Sequence, residues 1–143
     1  MYWSLFVDED EKMVNIPKEV MDVLSASDSA KMLATVDAKG IPNVVPLWSF
    51  VAVDPETIAF AEVFIKKTKE NLEKNKQAAI AVFKGPMTGY QLKGTFSGFQ
   101  TSGPVFDNFE KKSMETMKMH IKSAGIIKVT EVSVLRQDKT AKN

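Results

Sequence analysis

Lys31-Met32-Leu33-Ala34-Thr35-Val36-Asp37-Ala38-Lys39-Gly40-Ile41-Pro42-Asn43-Val44-Val45-Pro46-Leu47-Trp48-Ser49-Phe50-Val51-Ala52-Val53 reads as two strands joined by a turn. Lys31–Val36 is the first strand. Asp37-Ala38-Lys39-Gly40 is the turn, with glycine where a positive φ is needed. Ile41–Val53 is the second strand, and it contains two prolines. Proline gives no N–H to a ladder, so this strand is an edge, is bent, or lies open toward a ligand at Pro46.

Other elements follow outward from this pair. Pro17 opens a helix with Val20, Val23 and Leu24 on one stripe, ending at Asp28-Ser29. Asp54-Pro55-Glu56 turns the chain into a strand, Thr57–Val63. A short helix after Thr68 ends near Asn75. Gln77–Phe83, rich in small apolar residues, is expected to be a strand buried on both faces. Gly85–Gly89 forms a loop or hairpin tip. Tyr90–Gln100 alternates as a strand, in which Gly94 and Gly98 mark bending or close approach of another backbone. Ser102-Gly103-Pro104 starts a helix expected to reach about Ala124, stopped by Gly125, and Ile126–Arg136 is the last strand. Six short, mostly antiparallel strands with a late helix describe an α+β small closed barrel, although an open sandwich gives a similar pattern. A single domain over residues 1–143 is expected, with residues 1–16 as an N-terminal arm and 137–143 as a polar tail.

Composition narrows the chemistry. Of 143 residues, 44% are hydrophobic and 26% charged, the balance of an ordinary globular protein. A formal net charge of +1 provides no field to draw nucleic acid or an anionic membrane. No cysteine is present, which removes disulfides, thiolate nucleophiles and thiolate metal sites. His120 is the sole histidine, so His-pair metal sites fall away, and its amphipathic surroundings favour a surface role over a ligand role. The apolar start, Met1–Val7, is too short for a secretion leader and lacks its basic residues. No window approaches a membrane span, and a cytoplasmic protein is expected.

One segment carries a binding signature: Ile65-Lys66-Lys67-Thr68-Lys69-Glu70-Asn71-Leu72, directly after a strand. The first amides of a helix have no intrahelical acceptors and point donors and partial positive charge forward. With two lysines and an N-capping Thr68, that is the chemistry of a phosphate seat. The plain alternative is an ordinary N-cap with solvated lysines.

Five features occur in one order: Leu33-Ala34-Thr35-Val36-Asp37 with Gly40 and Pro42; Pro46-Leu47-Trp48; Lys67-Thr68-x-x-Asn71-Leu72; Gly85-Pro86-Met87-Thr88-Gly89-Tyr90-Gln91-Leu92-Lys93-Gly94; and Ser102-Gly103-Pro104. Together, over about residues 17–136, they resemble the FMN-binding split β-barrels related to pyridoxamine 5′-phosphate oxidase, in particular the small bacterial flavin mononucleotide-binding protein type. The resemblance implies a six-stranded antiparallel split β-barrel with a few flanking helices, and a homodimer with one FMN per subunit at the interface. It implies phosphate binding by Lys67 and Thr68, with Lys66 and Asn71 nearby. Pro46, Leu47 and Trp48 would lie along the flavin, Glu62 and Val63 would pass the ring, and Tyr90 and Gln91 would approach from the partner subunit. Other readings stay open at three of these positions. Trp48 could instead be a core aromatic beside Phe50, and Gln91 a polar residue on a solvent face. Glu62 beside an anionic cofactor requires pairing with Lys66 or Lys67, or an outward orientation.

The chain departs from the oxidases themselves. Arg136 is its only arginine, so it lacks the arginine-and-histidine set for a second, substrate phosphate, which argues against vitamin B6 oxidation. Pro46-Leu47 also replaces a polar pair expected in the smallest flavoproteins of this type. The function implied is an FMN-binding flavoprotein of the redox class, an electron carrier or a flavin reductase, with a nicotinamide or protein redox partner. The alternatives are a non-flavin binding module for haem, a deazaflavin or a phosphorylated metabolite, and a purely structural dimer.

Overall fold

The computed structural model describes residues 14–136. In chain order the elements are α1 (Lys18–Ser25), β1 (Ala30–Val36), β2 (Pro42–Pro46), β3 (Phe50–Asp54), β4 (Thr57–Glu62), α2 (Lys66–Asn75), β5 (Gln77–Lys84), β6 (Thr88–Gln100), α3 (Pro104–Thr116) and β7 (Ser123–Arg136). The fold is α+β with one seven-stranded antiparallel sheet, in the order β2-β1-β5-β6-β7-β4-β3. The β1–β2 turn forms as its sequence dictates. One oxygen of Asp37 accepts the amides of Lys39 (2.8 Å) and Ile41 (2.9 Å), and Gly40 takes φ +83°.

Seven strands replace the expected six because Ile41–Val53 is broken at Leu47-Trp48-Ser49. Its halves, β2 and β3, become the two opposite edges of the sheet. This connection forces curvature. Six interstrand gaps of about 4.8 Å would separate the edges of a flat sheet by roughly 29 Å. Four Cα–Cα steps, from Pro46 to Phe50, span at most about 15 Å. The sheet therefore curls until its edges approach, yet no ladder joins β2 to β3 among the described residues. Both prolines lie on the edge strand, as their missing donors require.

Inside the curl, Leu33, Ile80, Val82, Leu92, Ile127, Val129 and Val132 pack with Leu24 and Val20 of α1, and Val14 and Ile16 join them. Residues 14–16 thus belong to the core rather than to an arm; the rest of that arm and the polar tail lie outside the described residues. A smaller cluster sits beneath α3, formed by Ala59, Ala61, Val63, Phe109, Ile121, Ala124 and Ile126. All six residues of β4 are buried, because Ile58 and Phe60 face one cluster while Ala59 and Ala61 face the other. The strand buried on both faces is therefore β4. β5, given that role from its composition, alternates between buried and partly exposed residues.

The helices are shorter than expected. α1 stops at Ser25. α3 stops at Thr116, and Lys118 adopts φ +57°. Residues 117–122 then run back along α3, held by the Ser113 hydroxyl on the Met119 carbonyl (2.6 Å) and the Glu110 carboxylate on the Ile121 amide (2.9 Å). Gly125 does not cap a helix; it lies inside β7, where a Cβ would stand 2.3 Å from the Phe60 ring. Gly94 fits the expectation of close approach. A Cβ there would meet the Lys128 carbonyl at 2.4 Å, and the ladder shifts register at Lys93/Gly94.

Candidate functional site

β4 delivers the chain to α2 through Val63-Phe64-Ile65, and α2 lies beside β1 and β2. The helix starts three residues earlier than the sequence suggests. Its N-cap is Ile65, with φ −135° and ψ 41°, and no side chain caps it. Thr68 is the third helical residue. Its hydroxyl is buried and accepts a hydrogen bond from the Asn43 amide group of β2 at 3.1 Å. Asn71, one turn on, is also buried and donates to the Thr35 hydroxyl of β1 at 3.0 Å. These two residues bolt the helix to the sheet. Lys66 and Lys67, in the first turn, are exposed. Lys67 is near enough to Asp37 to help hold that carboxyl below the usual carboxylate range, after the larger effect of the Ile41 amide.

Glu62 is not paired with Lys66 or Lys67. It is buried, accepts the Ser123 hydroxyl at 2.5 Å, and forms an ion pair with Lys69 at 3.3 Å. The Lys69 ammonium also lies 5.0 Å from the centre of the Phe99 ring. With the helix begun at Lys66, the lysine that reaches Glu62 is Lys69, while Lys66 and Lys67 stay exposed in the first turn.

Pro46, Leu47, Trp48 and Val63 do converge. With Ala61, Phe64, Ile65 and Met117 they line a cavity of about 130 Å3 at the uncapped end of α2. Trp48 is 37% exposed, so it is neither a core aromatic nor fully free, and Phe64 is 79% exposed. Phe64, Ile65 and Met117 were missed from the sequence. The first two are the apolar residues directly before the lysines, a usable signal; Met117 was hidden by being assigned to a longer helix.

Tyr90 and Gln91 lie elsewhere on the sheet. Tyr90 is buried in the main core, where burial pushes its hydroxyl pKa up, helped by Glu19. Gln91 is half-buried and belongs to a cross-strand row, Pro46–Met32–Ala81–Gln91–Ser133, on the outer face. A parallel row, Val44–Ala34–Ala79–Lys93, lies beside it. Val44 is 62% exposed, and the neighbouring Met32, Ala34, Ala79 and Ala81 are only partly covered. This side of the sheet is an apolar surface with no covering element among the described residues. Gln91 thus shares a face with Pro46 but, within one subunit, lies three strands away.

His120 is exposed, and its Nδ1 meets a Glu110 carboxylate oxygen directly. Among the described residues no cluster of His, Asp or Glu could hold a metal ion, and no helix is long and apolar enough to cross a membrane.

The profile of the pyridoxamine 5′-phosphate oxidase family matches residues 16–138. The chain belongs to that family. HupZ of Group A Streptococcus is 32% identical, over 85% of this chain and 94% of its own, with a TM-score of 0.73. An FMN-binding protein from Syntrophomonas wolfei is 17% identical, over 85% and 86%, at a TM-score of 0.74. HutZ, the haem storage protein of Vibrio cholerae, is 16% identical, over 87% and 98%, at 0.58. The latter two show the shared fold alone. No curated protein matches the chain.

Proposed function

We propose that this protein is a flavoprotein of the redox class that holds FMN at a homodimer interface for electron or hydride transfer. The observation that carries this reading is the front of α2. It is a helix N-terminus with no side-chain cap, flanked by exposed Lys66 and Lys67, and it opens beside the Pro46–Trp48 break. Free amides and two ammonium groups suit a phosphate dianion. Phosphate is met by Lys67, Lys66 and the first amides of the helix. Thr68 contributes its amide, since its hydroxyl is engaged by Asn43. Pro46 and Leu47 offer backbone along the ring, and Val63 and Trp48 offer apolar cover.

One subunit cannot enclose the coenzyme alone. Its cavity of about 130 Å3 falls below the roughly 300 Å3 at which small-molecule sites begin. The apolar rows of β1, β2 and β5, uncovered among the described residues, support a second copy as the missing wall, bringing that copy's Gln91 to the site. Bound FMN would supply reversible hydride or single-electron chemistry; the chain positions it and keeps water from the ring. Glu62 stays out of this chemistry, neutralised by Lys69 and Ser123.

The visible spectrum of the purified protein is the test. A yellow protein that releases FMN on denaturation, binds FMN far more tightly than riboflavin, and sediments as a dimer supports the reading. Equal affinity for riboflavin removes the phosphate seat, and a haem spectrum removes the flavin.

A further inference from the structure

A larger void, of about 370 Å3, shares Trp48 and Met117 with the flavin cavity but opens between the end of α1, α3 and the β2–β3 break. Two polar groups on its walls lack what their chemistry needs. Ser49 is 8% exposed and its hydroxyl has no hydrogen-bond partner among the described residues, a cost that folded chains rarely leave unmet. Lys31 is 6% exposed and donates to the Ala26 carbonyl at 2.7 Å and the Ser29 carbonyl at 3.3 Å, and the third of its N–H donors has no acceptor among the described residues. Among the described residues no carboxylate forms an ion pair with it: Asp28, the nearby acid, pairs with Lys84 instead. Lys112, on α3, lines the same void and repels Lys31. Burial, the largest effect, pushes the Lys31 pKa down; Asp28 opposes it and Lys112, the smallest of the three, adds to it. The wall also carries three aromatic residues, Trp48, Phe50 and Phe109, beside aliphatic Ala26, Val51 and Met117 and polar Asn108 and Thr116.

We propose that this cavity binds a small aromatic carboxylate, its anionic group held by Lys31, Lys112 and the Ser49 hydroxyl and its ring packed among Trp48, Phe50 and Phe109. A carboxylate is acceptor-only, so it complements an ammonium with a spare donor, a second cation and an unpaired hydroxyl together. The volume lies within the range of small-molecule sites, unlike that of the flavin cavity in one subunit. This reading does not depend on FMN being the coenzyme, because none of the anion-holding groups belongs to the front of α2.

The test titrates benzoate and its neutral isostere benzamide into the full chain carrying Trp3→Phe, reading Trp48 fluorescence and heat. Benzoate is expected to saturate, with benzamide at least about tenfold weaker. Ser49→Ala should weaken benzoate by about tenfold while leaving thermal stability equal or higher, since the lost hydroxyl bonds nothing in the fold. Lys112→Ala, at an exposed position, should weaken it by about fivefold or more. The proposal is overturned by benzamide binding as well as benzoate, by either variant binding like the parent, or by no saturation below roughly 10 mM benzoate. Loss of stability in Ser49→Ala would also overturn it, by showing that the hydroxyl already has a partner in the fold.

Discussion

The two sides of α2 are built from similar residues and behave in opposite ways. On its back, Thr68, Lys69 and Asn71 each have a partner from the sheet: Asn43, Glu62 and Thr35. On its front, Lys66 and Lys67 are exposed and the helix end is uncapped. Lysine appears on both sides, so residue type does not separate structure from binding. What separates them is whether the fold itself supplies the partner. The back satisfies its polar groups from within and fixes the helix, which lets the front present an unsatisfied, pre-positioned cationic end.

The strongest way to break this contrast is Asn71→Ala. It removes a buried hydrogen bond, strands the Thr35 hydroxyl and leaves a small void, so a loss of about 2–3 kcal/mol in unfolding free energy is expected, read from the urea midpoint. A loss under about 0.5 kcal/mol would mean that the back is no anchor. Lys67→Ala is the mirror experiment. Its unfolding midpoint should stay at the parent value, while FMN affinity falls about ten- to a hundredfold, measured by fluorescence titration. A stability loss without an affinity loss would exchange the roles of the two sides.

How far the sequence reveals this arrangement depends on the range of the forces involved. The β1–β2 turn was legible because Asp37 and Gly40 determine it locally, and the prolines announced an edge or a bend because a missing N–H is a local fact. The ordered motifs also pointed to the family. Other features were set by distant groups. Met117 and Ile121 suit a helical stripe with Phe106 and Phe109, and it is Ser113 on the Met119 carbonyl and Glu110 on the Ile121 amide that turn the segment back on α3. β4 is buried twice because a second cluster forms beneath α3, which composition does not disclose. The partner of Glu62 was misassigned because the helix begins three residues before its expected start, so Lys66 and Lys67 form an exposed first turn and Lys69 is the lysine that reaches Glu62. At the site, the segment was legible and the orientation of its side chains was not.

Thr68 sharpens the comparison, since the sequence assigns it to the front and its hydroxyl sits at the back. Thr68→Val keeps the shape and removes the acceptor for Asn43, which is half-exposed and can turn to water. A stability loss of about 1 kcal/mol with FMN affinity within twofold is the outcome expected of a tether. If affinity instead drops tenfold at unchanged stability, the hydroxyl belongs to the phosphate seat and must leave Asn43 when the coenzyme binds.

The smallest effect lies on α3, where Glu110 has an exposed version of the same arrangement. The His120 ring, and secondarily the Ile121 amide, hold its carboxyl below the usual carboxylate range. A carboxyl whose pKa is depressed on folding adds stability above its unfolded pKa and loses it as the pH falls through the folded value. Glu110→Gln keeps an oxygen for the Ile121 amide but removes the charge, so it should be slightly less stable than the parent at neutral pH. That gap should close on acidification through the carboxylate range. A gap that persisted in acid would have to come from packing of residues 117–122, and α3 would then resemble the back of α2, where geometry rather than charge does the holding.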